Sequence, residues 1–391
     1  MFNFNKNEKM KRSILKLLTM ALIPVLIGCG NAQQISKMYV GVYTGRDVVN
    51  GLHVIDVDFT NGVFAPVSDA DAGPSPSYIC VSKKHNMLYA ANEATQTIDD
   101  GVRVGSVTAL KLNADGSIAE KVKEVYLYNG GACNVSLTPE EDFLLLAHYG
   151  AGSISVVRLD SNGLPTEVTD TVVFREEGIR SARGHMAAAG PNGKIYFTCL
   201  ALDKVMIFDL NRTTGKLTQT GYGSTPEGAG PRHFTFSKDG SKLFVINELG
   251  STMTVFDIAS DGGLNEIQTI STLPDDWTGE SFCADVHLSK DGQYLYGSNR
   301  GHNSIVTYKV AADGRLSVVG FTSCGGNWPR NFTLDPSGKY IVVGNQNARP
   351  NPDLQNQENL ALFEIDKKTG LPVLPGKIYD IRQPACIKFM E

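Results

Sequence analysis

A unit of about fifty residues recurs seven times along this chain, and it limits the possible folds more than any other feature. Each copy reads as a strand of alternating or β-branched residues, a polar turn carrying a glycine, and the start of a further strand. Copies begin at Gly51 (GLHVIDVDFTNGVF), Gly105, Gly152, Asp203, Ser251, Asn303 and Glu358. Their turn glycines are Gly62, Gly116, Gly163, Gly215, Gly262, Gly314 and Gly370, with successive gaps of 54, 47, 52, 47, 52 and 56 residues. A unit this short cannot bury its own apolar face and must stack on its neighbours. Seven copies at this spacing are the mark of a propeller.

A second unit precedes the first from the second copy onward, as in FSKDGSKLFVINE (Phe236–Glu248), LSKDGQYLYGSNR (Leu288–Arg300) and LDPSGKYIVVGNQ (Leu334–Gln346). Each is a strand, a tight Asp-Gly or Ser-Gly turn and a second strand, which is a hairpin. Two hairpin strands plus two strands around the later turn give four per blade. The expected fold is all-β: a single seven-bladed β-propeller, residues 37–391, with four antiparallel strands per blade. Pairing Met38–Tyr43 with the apolar strand at Cys386–Met390 would remove the open sheet edges. Which strand closes the ring stays open at this point.

The amino terminus reads as an address. Lys6, Lys9, Lys11, Arg12 and Lys16 make a basic region that overlaps the start of a mostly apolar run, Ile14–Ile27, too short for a permanent membrane span. It ends in Leu26-Ile27-Gly28-Cys29, which resembles a bacterial lipobox. Residues 1–28 are therefore expected to be a lipoprotein signal peptide, and residues 29–36 a linker. Cys29 would be the lipid attachment point, with a lipid bilayer of the cell envelope as partner. Two or more acyl chains would hold the protein there, since each buried methylene contributes about 0.8 kcal/mol. Cleavage before Cys29 removes five basic residues and one acid (Glu8), taking the formal charge from −5 to −9. So acidic a body argues against nucleic acid as a partner.

Cys80, Cys133, Cys199, Cys283, Cys324 and Cys386 are widely spaced within apolar stretches and form no CxxC pair. They read as buried free thiols, with no zinc-ligand spacing among them. No cofactor motif is present, and the glycine-rich stretches fall on turns rather than before helices. The oligomeric state is not legible.

Aligning the hairpins on their turns brings unusual residues to one end of the blades. Arg232 starts one strand and Glu248 ends its partner, both about eight residues from the Asp239-Gly240 turn. The next hairpin places Asp285 and Arg300 likewise, and the one after places Arg330, with Asn345 and Gln346 opposite. His185 stands level with Arg232, and Glu93 takes the position of Glu248. Opposite charges gathered beside a central channel are costly to assemble. They could be ion pairs that hold the ring together, or a reactive site.

The residue types suit ester chemistry. Arginines can bind a carboxylate or phosphate and stabilise an oxyanion. A His or Glu can take a proton from water and return it to the leaving oxygen. No GxSxG elbow is present, and no Ser or Cys stands beside a His in a known motif. Glu93, Glu248, Asp285 and His287 could ligate a metal, but the arginines among them would oppose a cation, so no metal is expected. His233, Asp285, His287, Glu93, Arg330 and Asn345 are candidate substrate contacts. His53, His85 and His148 read as ordinary strand or turn residues. Trp277 and Trp328 read equally as channel-mouth or packing residues.

Across the mature chain the motifs resemble the propeller-type lactonases, a family that includes 6-phosphogluconolactonases and fungal muconate-lactonizing enzymes. The resemblance rests on YVGVYTG (Tyr39–Gly45), PSPSYI (Pro74–Ile79), LYAANE (Leu88–Glu93), GPRHFTFSKDG (Gly230–Gly240), SNRGHNSIVTY (Ser298–Tyr308), PRNFTLDPSGKYIVVGNQN (Pro329–Asn347) and PACIKFM (Pro384–Met390). It implies a lactone hydrolase whose catalytic residues are His185, Arg232, Glu248 and Arg300. The two arginines would hold the substrate's anionic group and carbonyl oxygen, and Glu248 or His185 would activate water.

Three positions depart from the family. A PHxH stretch is replaced by Ala182-Arg183-Gly184-His185, a His by Asn134, and an Asp-Leu-Gly by Cys199-Leu200-Ala201. Arg183 then becomes a candidate for a free carboxylate or a sugar-acid lactone. The pentose phosphate lactone is a cytosolic sugar phosphate, whereas Cys29 points to the envelope. Two rivals remain: a non-catalytic, envelope-anchored binding propeller, and a muconate-type lactonizing enzyme.

Overall fold

Seven four-stranded antiparallel sheets stand around a central channel in the computed structural model, which describes residues 35–44, 50–350, 352 and 357–390. The expected signal peptide and Cys29 lie outside the described residues. Blades 1 to 6 run in chain order. Their inner strands are Pro76–Ser82, Asn134–Leu137, Gly184–Ala189, Pro231–Phe236, Phe282–Leu288 and Pro329–Leu334. Blade 7 takes its inner strand, Pro384–Phe389, from the carboxyl end and its other three from the amino end. Met38 pairs with Phe389 and Gly41 with Cys386, so the chain's last strand lies innermost and closes the ring. The described helix content is one 3₁₀ turn, Leu200–Leu202.

The repeated glycines fit this architecture. All seven turn glycines have positive φ, from 63° at Gly62 to 88° at Gly262, a region open to glycine without strain. Four of them also take part in fastening blades. Tyr39, Tyr89, Tyr196 and Tyr296, on second strands, donate their hydroxyls to the carbonyls of Gly116, Gly163, Gly262 and Gly370 in the next blade, at 2.6–2.9 Å. Each ring fills the space between two sheets while its hydroxyl finds a partner at the edge. Apolar residues of neighbouring blades complete the layers, such as Phe244, Val255, Val286 and Val306 between blades 4 and 5. The six described cysteines are free, five of them buried.

Within a blade, one polar position recurs. Asn92, Asn247, Asn299 and Asn345 lie on the second strands of blades 1, 4, 5 and 6, each one residue before a mouth position, and all are buried. Each turns its amide into its own blade: Asn92 to Ser106 and Thr108, Asn247 to Thr252 and Thr254, Asn345 to Asn359 and the Cys324 carbonyl. Blade 2 uses His148 there, bonded to the Gly130 carbonyl and Ser155 hydroxyl at 3.0 Å each. Asn345, expected as a substrate contact, is therefore corrected to a bracket inside blade 6.

Candidate active site at the channel mouth

Six of the seven inner strands begin with a β-bulge. An extra residue locally breaks the ladder and re-aims a side chain. The bulged residues are Ser77, Arg232, Arg330 and Ala385, with His185 and Met186 sharing the bulge of blade 3 and Ala284 and Asp285 that of blade 5. Five of these bulges share a local cause. Two positions earlier stands a residue of positive φ: Ser75, Arg183, Gly230, Trp328 or Gln383. A Pro or Gly follows it, and its carbonyl accepts the backbone N–H of Glu93, Leu200, Glu248, Gln346 or Tyr43 at 2.7–3.2 Å. Pro fits there because the first residue of a strand can lack a ladder donor. The bulged residue and the residue just past the second strand thus meet at the same mouth in blade after blade.

Chemistry gathers in blades 3 to 5. Arg232 is the largest fully buried side chain of the protein. A buried cation must be paired, and its Nε lies 2.9 Å from Glu248 Oε2 while Nη1 donates to the Ala284 carbonyl. Arg300 reaches back from blade 5 and sets Nη2 3.0 Å from Glu248 Oε1. It also donates to the Phe282 and Cys283 carbonyls. Glu248 is thus clamped between two guanidinium groups. Burial would raise its carboxyl, but Arg300 and Arg232 outweigh that and hold it below the usual range.

His185 is its electrostatic opposite. Burial, and then the cations Arg232, Arg330 and Arg300 with His233, drive its imidazole well below its usual value, so it is neutral. Its Nδ1 is buried without a hydrogen-bond partner among the described residues. The ring packs edge-on against Tyr149 and His233, with centroids 5.7 and 5.1 Å away. Arg183 lies above the same Tyr149 ring at 5.8 Å, exposed, in a left-handed conformation of φ 52°.

A second cluster occupies blades 6, 7 and 1. Glu93 accepts from the hydroxyls of Tyr43 and Ser77, the latter at 2.6 Å. Arg330 stands 3.7 Å from Glu93 and 5.0 Å over the Tyr43 ring. It reaches past blade 7, whose bulged residue is the small Ala385.

Asp285 and His287 are corrected. Phe282, not Asp285, pairs with Arg300, and Asp285 sits three residues deeper in its strand. Its Oδ1 accepts from His233 Nδ1 at 2.7 Å and the Val286 amide at 3.0 Å. Its Oδ2 accepts from His287 Nε2 at 3.0 Å, the Phe332 amide at 3.3 Å and the Asn331 side chain. Five donors leave the carboxylate no free lone pair for a substrate. Burial works to raise Asp285, and the imidazoles of His287 and His233 hold it well below the usual range nonetheless. Asp285 fixes the His233 tautomer, so His233 Nε2 faces Arg232 Nη1 at 3.3 Å. His233 is thus a buried neighbour of Arg232, pushed down to about 4 by burial and by Arg232.

Sequence reasoning passed over Tyr43, Ser77, Tyr149 and Asn331. Tyr43 and Tyr149 carried a usable signal, since each directly follows the second strand as Glu248 does. Trp328 packs beneath two cations, 5.6 Å from Arg300 and 4.8 Å from Arg349.

A charged mouth on a seven-bladed propeller defines a class, and comparison places the chain within it. The chain belongs to the family described as Lactonase, 7-bladed beta-propeller, which matches residues 37–389. It is 29% identical over 361 residues to the 6-phosphogluconolactonase of Bacillus subtilis, covering 90% of this chain and 98% of that one. The structure resembles a putative 6-phosphogluconolactonase from Bacteroides fragilis with a TM-score of 0.78 and 28% identity, covering 91% and 98% of the two chains. It also resembles the periplasmic gluconolactonase of Pseudomonas aeruginosa, with a TM-score of 0.81 and 25% identity, covering 91% and 99%.

Proposed function

We propose that the protein hydrolyses a sugar-acid lactone at the channel mouth, with neutral His185 as the base and Arg232 and Arg300 as the oxyanion site. The observation that carries this reading is the contrast between His185 and Glu248. Glu248 has each oxygen opposite a guanidinium and is a poor proton acceptor. His185 is neutral, and its Nδ1 has no partner among the described residues.

In the forward step, a water oxygen bonds to the lactone carbonyl carbon and its proton passes to His185. The carbonyl oxygen gains the electron pair and becomes an oxyanion facing Arg232 and Arg300. On collapse the bond from carbonyl carbon to ring oxygen breaks, and that oxygen takes the proton from His185. The hydroxy acid formed then ionises and releases a proton. Glu248 holds both guanidinium groups in place throughout, and Arg330, braced by Glu93, adds to the field. This reading makes the two catalytic candidates unequal, with His185 in the chemistry and Glu248 in the scaffold.

Among the described residues Arg232, Arg300 and Arg330 are matched at the rim by Glu248 and Glu93, and Arg183 adds a fourth cation, so the rim favours an anionic ligand. Arg183 is the exposed one, held in a backbone conformation that costs about 1–3 kcal/mol. Its place beside Tyr149 suits a carboxylate or phosphate at the substrate's far end. Proton release on gluconolactone, 6-phosphogluconolactone and a carboxylated lactone tests the assignment. Arg183→Gln should raise KM roughly 10-fold or more for the anionic lactones, the effect of one charge-assisted hydrogen bond, and leave gluconolactone unchanged. Equal effects on all three would remove Arg183 from substrate recognition.

A further inference from the structure

Gln346 directly follows the bracket Asn345 of blade 6, as Glu248 follows Asn247 in blade 4 and Arg300 follows Asn299 in blade 5. Its backbone N–H donates to the Trp328 carbonyl at 3.0 Å, as that of Glu248 does to Gly230 at 2.7 Å. It therefore stands in the mouth ring between Arg300 and Tyr43. Its side chain is only 7% exposed, and Oε1 is buried with no hydrogen-bond partner among the described residues. Asn345 and Asn247 also keep an unpaired Oδ1, but their Nδ2 groups are engaged within the blade. Gln346 has no such bracket and lies where its neighbours are charged.

Leaving a buried amide oxygen unsatisfied costs about 1–3 kcal/mol. A ligand that supplies a donor removes that cost. Arginines already suit the carboxylate and the oxyanion, and none of them can accept a hydrogen bond. Gln346 supplies a neutral acceptor among these cations. We infer that Gln346 is a specificity-determining residue whose Oε1 accepts a hydrogen bond from a ring hydroxyl of the bound lactone. The sugar-acid lactone proposed above is thereby narrowed to one that presents a ring hydroxyl to Gln346. This inference rests on the lactonase reading above.

The test compares D-glucono-δ-lactone with δ-valerolactone, which has the same six-membered ring without hydroxyls, in wild-type protein and in Gln346→Leu. Catalysed hydrolysis above the uncatalysed rate is followed by proton release, titrated with base at constant pH. The expected result is a fall in kcat/KM of about 10- to 100-fold for gluconolactone, the loss of one discriminating hydrogen bond to a substrate hydroxyl. For valerolactone the variant should stay within about twofold of wild type, because that substrate never made the bond. Should the leucine variant fail to fold, Gln346→Met keeps the chain length and repeats the comparison. An equal fall on both lactones, or no fall on gluconolactone, would overturn the assignment. Wild-type protein inert on both would instead overturn the lactonase reading and the assignment with it.

Discussion

His185 and Glu248 occupy adjacent blades, yet their surroundings push them toward different work. Both are buried, and burial disfavours the charged form of each. Glu248 stays ionised because two guanidinium groups repay that burial, whereas His185 faces the same cations and stays neutral. The consequence is a pH profile. A His held well below 6.5 keeps its proton-accepting form as pH falls through that value. The acid limb of kcat/KM should therefore lie well under pH 6.5, and His185→Gln should lower kcat by about 10²- to 10⁴-fold. A limb at pH 6.5, or a glutamine variant with normal kcat, would take His185 out of the reaction. The site's charged members were legible in the sequence because turn-to-end counting puts Arg232, Glu248, Arg300 and His185 at one level. Asp285 was misplaced because it stands seven residues before its turn glycine Gly292, one fewer than Arg232 before Gly240, so it falls inward of the level of Arg232.

At the scale of the element, structural and functional positions alternate along one short stretch. The bracket asparagines recur in four blades, and the residue that follows changes from Glu93 to Glu248, Arg300 and Gln346. That repetition was visible in the sequence and marks Asn345 as structural, since a packing position repeats while a site position varies. Blade 2 breaks the rule with His148, whose imidazole burial pulls down to about 4. Its Nδ1–H bonds to the Gly130 carbonyl, and Nε2 accepts from Ser155. The folded pKa is depressed, so below about 6.5 the unfolded chain takes up a proton that the folded one refuses. Stability falls from there until pH reaches the folded value near 4. At pH 5 this amounts to about 2 kcal/mol from this group, at roughly 1.4 kcal/mol per pH unit. His148→Asn should lower the difference between the urea midpoints at pH 7 and pH 5. An unchanged difference would mean the acid sensitivity arises elsewhere.

For the whole molecule, ring closure and site assembly are one problem. The inner strand Pro384–Phe389 completes blade 7 by pairing with Ile35–Val42, so this part of the mouth depends on pairing between strands far apart in the sequence. Arg330 of blade 6 reaches Glu93 of blade 1 across Ala385, so the rim itself spans the closure. The seven-fold count was legible because turn glycines and hairpin turns repeat at fixed spacing. The innermost place of the final strand was not, because either partner of an antiparallel pair could lie inside. The central claim is that this closed rim opens a lactone with water. It is tested most directly by NMR observation of gluconolactone passing to its open acid, with wild-type protein and Arg232→Ala at equal concentration. The account predicts catalysed ring opening by the wild type and, with the oxyanion donor gone, a rate at least about 100-fold lower in the variant. Wild-type opening no faster than buffer, or a variant as fast as wild type, would contradict it.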